Sequence, residues 1–226
     1  MIHIEKLSKT FGSLEVLKNV NLTFEKGKVY GIVGENGSGK TTLFRCIAGL
    51  EKHSGTVKGD FDNLKNHLGF LQTDPFFLSR ITGREYLQLF CNARNIHGNN
   101  FDEKNIFELP LNQYALTYST GMKKKLALTA ILLQNNEVFI LDEPFNGVDI
   151  QSNIIITGII HRFKAMGKTV IISSHIFSTL NDTCDEIHLL KDGEFIKRVY
   201  KNEFALLEQE MKEITIGNKI DRLGLK

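Results

Sequence analysis

The feature of the sequence that most constrains the fold is a glycine-rich segment between an apolar strand and a helix. A run at 29–33 with three β-branched residues precedes it, and a helical pattern at 41–49 follows. The segment reads Gly34-Glu35-Asn36-Gly37-Ser38-Gly39-Lys40-Thr41-Thr42 and matches G-x-x-x-x-G-K-[ST] in full. Strand, loop and helix in this order are the context in which the pattern forms a phosphate-binding loop rather than an ordinary turn.

The residue types in this loop suit phosphate binding. Glycines let the backbone wrap closely enough for successive N–H groups to point at phosphate oxygens, and the following helix adds the positive end of its dipole. We expect Lys40 to reach the β- and γ-phosphates of a nucleotide and the Thr41 hydroxyl to bind Mg²⁺. The loop therefore predicts a nucleotide and Mg²⁺ as ligands.

Acidic residues follow a second apolar strand, at 138–141. Asp142 closes this strand, and Glu143 comes one residue later, before Pro144. Taken alone, acids at a strand end are more often solvated loop residues or helix caps. Beside a phosphate-binding loop, Asp142 is expected to bind Mg²⁺, whereas Glu143 points elsewhere and can accept a proton from an attacking water.

A histidine follows a further apolar strand, at 169–172. Two serines separate this strand from His175. The carboxyl ends of the strands are where ligands lie in open α/β sheets. We therefore expect the glycine-rich loop, the two acids and His175 to meet at one edge of the sheet.

Apolar strands alternate with helical patterns along much of the chain. The helices are predicted at 41–49, 150–166 and 176–181, each after one of the three strands. Continuous apolar runs are typical of parallel strands covered on both faces, and the βαβ order predicts an α/β fold. The first 30 residues differ, because alternating patterns at 2–7 and 20–24 predict antiparallel strands.

Together these patterns predict one fold class. It is an α/β fold with a P-loop NTPase core and a mostly parallel sheet, an N-terminal antiparallel β subdomain and a short α-helical subdomain. The helical subdomain is expected at about 73–120, inserted into a single domain of residues 1–226, because the pattern from Tyr86 to Leu109 is helical.

Charge and cysteine content exclude several classes of protein. With 28 Lys and Arg against 26 Asp and Glu, the formal charge of +2 gives no global field for nucleic acid, so no nucleic-acid partner is expected. No apolar run approaches the roughly 18 residues of a membrane span, and the charged N-terminus is unlike a secretion signal. Three widely spaced cysteines without a CxxC pair favour a reduced, cytoplasmic setting.

These residues resemble the nucleotide-binding domain of the ATP-binding cassette (ABC) family over about residues 2–200. The most specific segment is Tyr118-Ser119-Thr120-Gly121-Met122, which stands where the family has its Leu-Ser-Gly-Gly-Gln signature, upstream of the strand that ends at Asp142. The resemblance implies that ATP is the nucleotide. It also implies a dimer in which Ser119 and Gly121 complete the ATP site of the opposite subunit.

The same resemblance implies roles for four further residues. Gln72 would be the glutamine that senses Mg²⁺ and the partner subunit, and Asp149 would close the D-loop at 146–149. Phe11 would stack on adenine, and His175 would contact the γ-phosphate. The sequence departs from the family at several of these motifs: Phe11 replaces the commoner tyrosine, and Asp149 is the one D-loop residue kept.

The implied activity is ATP hydrolysis by a subunit that drives a separately encoded membrane permease. Tyr-Ser-x-Gly-Met signatures resemble those of exporter-type cassettes, and therefore predict export. The subunit would be peripheral, on the cytoplasmic face of the membrane, and its dimer could be a homodimer or a heterodimer. Two alternatives are a soluble cassette ATPase of translation or repair and a P-loop small-molecule kinase. The absence of a second cassette or a long coiled coil counts against the first, and the signature at Ser119 counts against the second.

Two local patterns carry further expectations. Phe76 and Phe77 lie just after Pro75 in a predicted loop, where they either contact the membrane subunit or cover the core of the helical subdomain. Residues 123–125 are three lysines at the start of a helix, where positive charge opposes the helix dipole. We expect one of them to lie near an anion and the other two to form a solvated face.

Overall fold

The computed structural model describes residues 1–216, which form two sheets and six α-helices. The strands are β1 (Ile2–Phe11), β2 (Leu14–Phe24), β3 (Val29–Val33), β4 (Ser54–Gly59), β5 (Leu68–Leu71), β6 (Val138–Asp142), β7 (Thr169–Ser173), β8 (Glu186–Lys191) and β9 (Glu194–Tyr200). The helices are α1 (Lys40–Ile47), α2 (Gly83–Asn92), α3 (Thr120–Leu132), α4 (Ile150–Ala165), α5 (Phe177–Thr183) and α6 (Phe204–Ile216).

The larger sheet has the strand order β5-β6-β7-β3-β8-β9. All neighbours in it are parallel except the β8–β9 pair. Every residue of β3, β6 and β7 is buried, because helices and the second sheet cover both faces of these strands. The smaller sheet is antiparallel, in the order β2-β1-β4. The predicted fold class is therefore confirmed.

Side chains on the two faces of the larger sheet enter two separate hydrophobic clusters. One cluster includes Ile140 and Ile171 and lies between the larger sheet, α1 and the smaller sheet. The other includes Leu141 and Ile172 and contains the apolar residues of α3, α4 and the segment between β5 and α3. This alternation follows from the two-residue period of a strand. It leaves the carboxyl ends of β3, β6 and β7 together at one edge of the sheet.

The segment at 73–119 contains α2 and much irregular backbone. Thr82 caps α2 in a reciprocal arrangement: its hydroxyl accepts from the backbone N–H of Glu85, and the Glu85 carboxylate accepts from the backbone N–H of Thr82. Residues 101–109 form turns rather than the expected helix. They nevertheless bury Phe101 and Phe107 in the core. The division of the chain into one domain with an inserted subdomain stays a prediction.

Two further properties concern the described part of the chain as a whole. Among residues 1–216, no helix combines the length and apolar character that crossing a bilayer requires. The three cysteines are buried and free. Burial raises the pKa of the Cys46 thiol to about 11 and that of Cys184 to about 12, and it also raises the pKa of Cys91.

Candidate nucleotide site

The glycine-rich loop joins β3 to α1 and takes its shape from its glycines. Gly37 and Gly39 have φ angles of +84° and +109°, a region that L side chains rarely adopt. At Gly34 a Cβ atom would lie 2.2 Å from the backbone oxygen of Leu190. Beside Gly37, by contrast, a Cβ would meet no atom within 4 Å, so the outer side of the loop is open to a ligand. The backbone of the loop is thus packed closely at Gly34 and open to a ligand at Gly37.

Lys40, the first residue of α1, is folded back onto this loop. Its ammonium donates hydrogen bonds to the backbone oxygens of Gly34 (2.7 Å) and Glu35 (3.0 Å). The side chain is buried, and burial lowers its pKa, whereas the carboxylates of Glu143 and Asp142 act in the opposite direction. A largely buried cation beside the backbone N–H groups of a glycine-rich loop is a suitable partner for phosphate oxygens. The loop therefore fits the nucleotide that its sequence predicts.

Asp142 ends β6 and accepts three hydroxyl hydrogen bonds. Its Oδ2 accepts from Thr41 and from Thr73, both at 2.7 Å, and its Oδ1 accepts from Ser173 at 2.6 Å. Thr41 belongs to the glycine-rich loop motif, whereas Thr73 and Ser173 come from the ends of the two strands beside β6. Hydroxyl and carboxylate oxygens form the kind of donor set that Mg²⁺ prefers, with waters completing its octahedron. These residues therefore fit the predicted metal.

Glu143 has an unusual backbone conformation and a buried carboxylate. Its φ is +51°, and a non-glycine residue there costs about 1–3 kcal/mol that the surroundings must offset. Its backbone N–H donates to the Ser173 hydroxyl at 2.9 Å. Its Oε1 lies 3.0 Å from His175 Nε2, and its Oε2 accepts from the His175 backbone N–H at 3.3 Å. Burial raises the pKa of Glu143 and the contact with His175 opposes this, so the carboxyl is suited to accept a proton.

These groups border one cavity of about 550 Å³. Its size lies within the usual range for small-molecule sites. Ten of the residues predicted from the sequence line it: Phe11, Asn36, Gly37, Gly39, Lys40, Thr41, Thr42, Asp142, Glu143 and His175. Phe11 is half exposed at its rim, with the Lys9 ammonium 4.3 Å from the ring centroid. The residues expected to meet at the carboxyl ends of the strands thus lie around one cavity.

Other predicted residues lie outside this cavity. Gly34 and Ser38 face the back of the loop. Gln72 borders a separate groove of about 670 Å³, together with Phe76, Leu89 and Phe90. The hydroxyl of its neighbour Thr73 makes the contact with Asp142 instead.

The signature residues and the D-loop aspartate occupy helix starts. Ser119 caps α3, where its hydroxyl accepts from the backbone N–H of Met122 at 3.2 Å. Asp149 caps α4 in the same way, with the N–H of Ser152 at 2.8 Å. Gly121 lies on the first turn of α3, against Gly147. These groups therefore do not contribute to the cavity of their own chain.

The expectation that two of the three lysines at 123–125 form a solvated face is wrong. Lys124 is 2% exposed, and its ammonium donates to the backbone oxygens of Glu143 and Asn146. Lys125 donates to the Asp149 carboxylate at 3.0 Å. The two phenylalanines also differ: Phe76 is 74% exposed, whereas Phe77 is buried against the ring of Tyr86.

Sequence reasoning missed three polar contacts of the site, those of Thr73, Ser173 and Lys124. A usable signal existed for the first two, because each lies at the end of a strand that flanks the strand of Asp142 once the sheet order is known. For Lys124 the signal was the run of three lysines at the start of a helix, which did not indicate which of them is buried. Its contacts depend on how α3 packs beside the turn that follows β6.

Comparison with known proteins shows which protein family this chain matches. Residues 17–146 match the ABC transporter family. The bacitracin transport ATP-binding protein BcrA of Enterococcus faecalis is 30% identical, over 96% of this chain and 75% of its own length. The ABC transporter ATP-binding protein NatA of Bacillus subtilis is 33% identical, over 82% of each chain. The lantibiotic transport ATP-binding protein SrtF of Streptococcus pyogenes is 30% identical, over 87% of this chain and 89% of its own.

Solved structures show the same fold. An ATP-binding subunit of an ABC transporter superposes with a TM-score of 0.84, at 23% identity, and covers 95% of this chain and 99% of that chain. A dimeric ATP-binding cassette in a post-hydrolysis state with ADP and Pi superposes with a TM-score of 0.78, at 21% identity, over 89% of this chain and 99% of that chain.

Proposed function

We propose that this chain, which belongs to the ABC transporter family, uses ATP hydrolysis to drive export through a separately encoded membrane permease. As a member of that family it is an ATP-binding, ATP-hydrolysing transport subunit. The observation that carries the proposal is the convergence of Lys40, Asp142 and Glu143 on one cavity at the carboxyl edge of the sheet. Export is supported by the Tyr-Ser-x-Gly-Met form of the signature, and a role in transport is supported by relatives named for bacitracin and lantibiotic transport.

Each polar group of the cavity has a proposed role in binding or proton transfer. The N–H groups of the glycine-rich loop and the Lys40 ammonium hold the β- and γ-phosphates, and Phe11 holds the adenine ring. Thr41 and Asp142 hold Mg²⁺, which neutralises phosphate charge when it is bound. Glu143 accepts the proton of the attacking water. His175, which contacts both carboxylate oxygens of Glu143 through its ring and its backbone N–H, keeps that carboxylate at the cavity.

The residues outside the cavity suit a dimer. Ser119 and Gly121 lie at the N-terminal end of α3, where free N–H groups favour an anion. We therefore assign them, with Asp149, to the ATP of a second subunit, in a homodimer or a heterodimer. Gln72 has a different proposed role. It borders the groove, and its neighbour Thr73 contacts Asp142. Gln72 can therefore sense both the metal site and the permease.

The groove beside Gln72 is the proposed contact with the permease. It is lined largely by apolar side chains, including Phe76 and Leu78 of the loop after β5 and Leu89 of α2. These three side chains are between 47% and 74% exposed. Apolar exposure of this kind marks an interaction surface. A short helix of the membrane subunit would fit such a groove, and this contact would hold the chain at the cytoplasmic face of the membrane.

A substitution of Glu143 tests the catalytic assignment. We expect Glu143→Gln to lower the rate of phosphate release by about 10²–10⁴, because general-base catalysis contributes that much. The variant should still bind ATP and accumulate as an ATP-bound dimer in size-exclusion chromatography, whereas Lys40→Ala should lose nucleotide affinity. Glu15→Gln, which changes an exposed carboxylate of β2, is the matched control and should keep the parental rate. Hydrolysis by Glu143→Gln at the parental rate would show that another group is the base.

A further inference from the structure

A buried cation lies near the start of α3, outside the residues assigned as nucleotide ligands. Lys124 is 2% exposed, and its ammonium donates to the backbone oxygen of Glu143 at 2.7 Å and to that of Asn146 at 2.8 Å. Burial of an ammonium is unfavourable unless hydrogen bonds replace its water. The two hydrogen bonds of Lys124 to backbone oxygens offset this cost.

The two oxygens that Lys124 contacts belong to the ends of one tight turn. The backbone N–H of Asn146 donates to the backbone oxygen of Glu143 at 3.2 Å, which closes the turn. Lys124 therefore bridges the first and last residues of this turn from the side of α3. On the opposite side, the Ser173 hydroxyl accepts from the backbone N–H of Glu143. The backbone of Glu143 is thus held from both sides.

The conformation of Glu143 explains why such support matters. Its φ of +51° lies in the left-handed region, which residues with a side chain adopt only when the surroundings enforce it. Relaxation of this backbone would redirect the carboxylate that now contacts His175. A small displacement of a reacting group can cost about 10²-fold in rate. The direction of the Glu143 side chain therefore depends on the hydrogen bonds at its own backbone.

Charge supports the same arrangement. The carboxylates of Glu143, Asp74 and Asp142 all attract the Lys124 ammonium, although burial is the larger effect and lowers its pKa. These three acids come from the loop after β5 and from the end of β6. Lys124 thus links α3 electrostatically to both segments that carry polar groups of the cavity.

Neighbouring contacts fix α3 to the same loop. A Cβ at Gly121 would lie 2.5 Å from the backbone oxygen of Gly147, so the two backbones are in close contact. One turn of the helix further, Lys125 pairs with Asp149. The start of α3 and residues 143–149 therefore form one closely packed unit, in which Lys124 is the buried cation.

We propose that Lys124 is a positioning residue for ATP hydrolysis: its ammonium holds the turn at 143–146 so that the Glu143 carboxylate faces His175 and the cavity. The inference rests on the proposed role of Glu143 as the base. Lys124 itself does not line the cavity. It acts through Glu143 and makes no contact with the nucleotide.

Two substitutions of Lys124 test this in the full chain. Lys124→Met keeps the length of the side chain and removes the ammonium, and we expect kcat to fall about 10- to 100-fold. The KM for ATP and the affinity for ADP should stay within about two-fold, since the nucleotide ligands are unchanged. Lys124→Gln retains an N–H donor and should recover part of kcat. Lys168→Met, which removes a partly buried lysine paired with Glu137 at the opposite edge of the sheet, should behave as the parent.

A second readout separates positioning from a general structural role. When Lys124→Met is combined with Glu143→Gln, the ATP-bound dimer should form as it does with Glu143→Gln alone. Loss of that dimer would overturn the proposal, because Lys124 would then support the subunit interface. Parental kcat in folded Lys124→Met, or in folded Lys124→Leu if the methionine variant does not fold, would also overturn it. If instead Glu143→Gln is active, the assignment of the base fails, whatever the Lys124 variants do.

Discussion

At the scale of single residues, Ser173 joins the two acids of the site. Its hydroxyl donates to Asp142 Oδ1 at 2.6 Å and accepts from the backbone N–H of Glu143 at 2.9 Å, and the residue is fully buried. A hydroxyl is the smallest side-chain group that can do both. The arrangement of the two acids within the site therefore depends on a residue that contacts neither nucleotide nor metal in the proposed mechanism.

Ser173→Ala should destabilise the chain. The substitution leaves a buried carboxylate oxygen and a buried N–H without this partner, which costs about 1–3 kcal/mol of unfolding free energy. Urea unfolding measures the effect. Ser54→Ala, at an exposed serine of β4, is the control and should change the unfolding free energy by less than about 0.5 kcal/mol. Equal unfolding midpoints for both variants would contradict the structural role of the Ser173 hydroxyl.

The residues of the site differ in how far the sequence could reveal them. Lys40 and Thr41 follow from a motif of fixed spacing, and Asp142 and Glu143 follow from their place after an apolar strand. Thr73, Ser173 and Lys124 carry no motif of their own. Their importance arises from neighbours that are distant in sequence: 69 residues separate Thr73 from Asp142. The single-residue roles themselves stay predictions until the variants are measured.

At the scale of elements, close contact between α3 and the loop after β6 is the feature most sensitive to substitution. Gly121→Ala would bring a methyl group to about 2.5 Å from a backbone oxygen of Gly147, which cannot move as a flexible side chain would. We expect lower stability and a lower rate of ATP hydrolysis, because α3 must shift away from the loop after β6, which contains Glu143. Thermal unfolding and phosphate release measure the two effects.

A second glycine provides the control for that substitution. Gly158 lies within α4, is exposed, and a Cβ there would meet no atom within 4 Å. Gly158→Ala should therefore stabilise the chain by about 0.5–1 kcal/mol, since alanine loses less conformational entropy in a helix. A parental rate and stability for Gly121→Ala would show that α3 can move without consequence.

Elements that are buried on both faces were the easiest to predict from the sequence. The run predicted at 29–33 coincides with β3, and those at 138–141 and 169–172 each fall one residue short of β6 and β7. Residues 101–109 were misinterpreted because their apolar side chains enter the core from turns, including Glu108 at a φ of +52°. Periodicity reports which side chains are buried, and it cannot distinguish a helix from an irregular segment that buries the same residues.

At the scale of the whole molecule, the cavity and the groove lie on either side of the loop after β5. Thr73 lines the cavity, whereas Gln72 and Phe76 line the groove. A displacement of this loop would therefore reach both surfaces. This arrangement supports the proposed transmission between ATP and the permease, and it singles out Phe76, which is the most exposed of these side chains, for a test.

Phe76→Asp should separate ATP hydrolysis from association with the membrane. The exposed position tolerates a carboxylate, so the isolated chain should fold and hydrolyse ATP as the parent does. Its recovery with the membrane fraction should fall at least about 10-fold, as expected for loss of an aromatic anchor. Leu14→Asp changes another exposed apolar residue, on β2, and serves as the control. Equal recovery of Phe76→Asp and the parent would place the membrane contact on another surface.

The burial of all three cysteines has a practical consequence for studying such contacts. Thiol reagents attack the thiolate, and the raised pKa values of Cys46, Cys91 and Cys184 leave almost none of it at neutral pH. A cysteine introduced at the exposed position 76 would therefore be the one thiol that a maleimide label or crosslinker modifies quickly in the folded chain. Neighbours of the groove could be mapped in native membranes without first removing the natural cysteines, and so without disturbing the core that they help to fill.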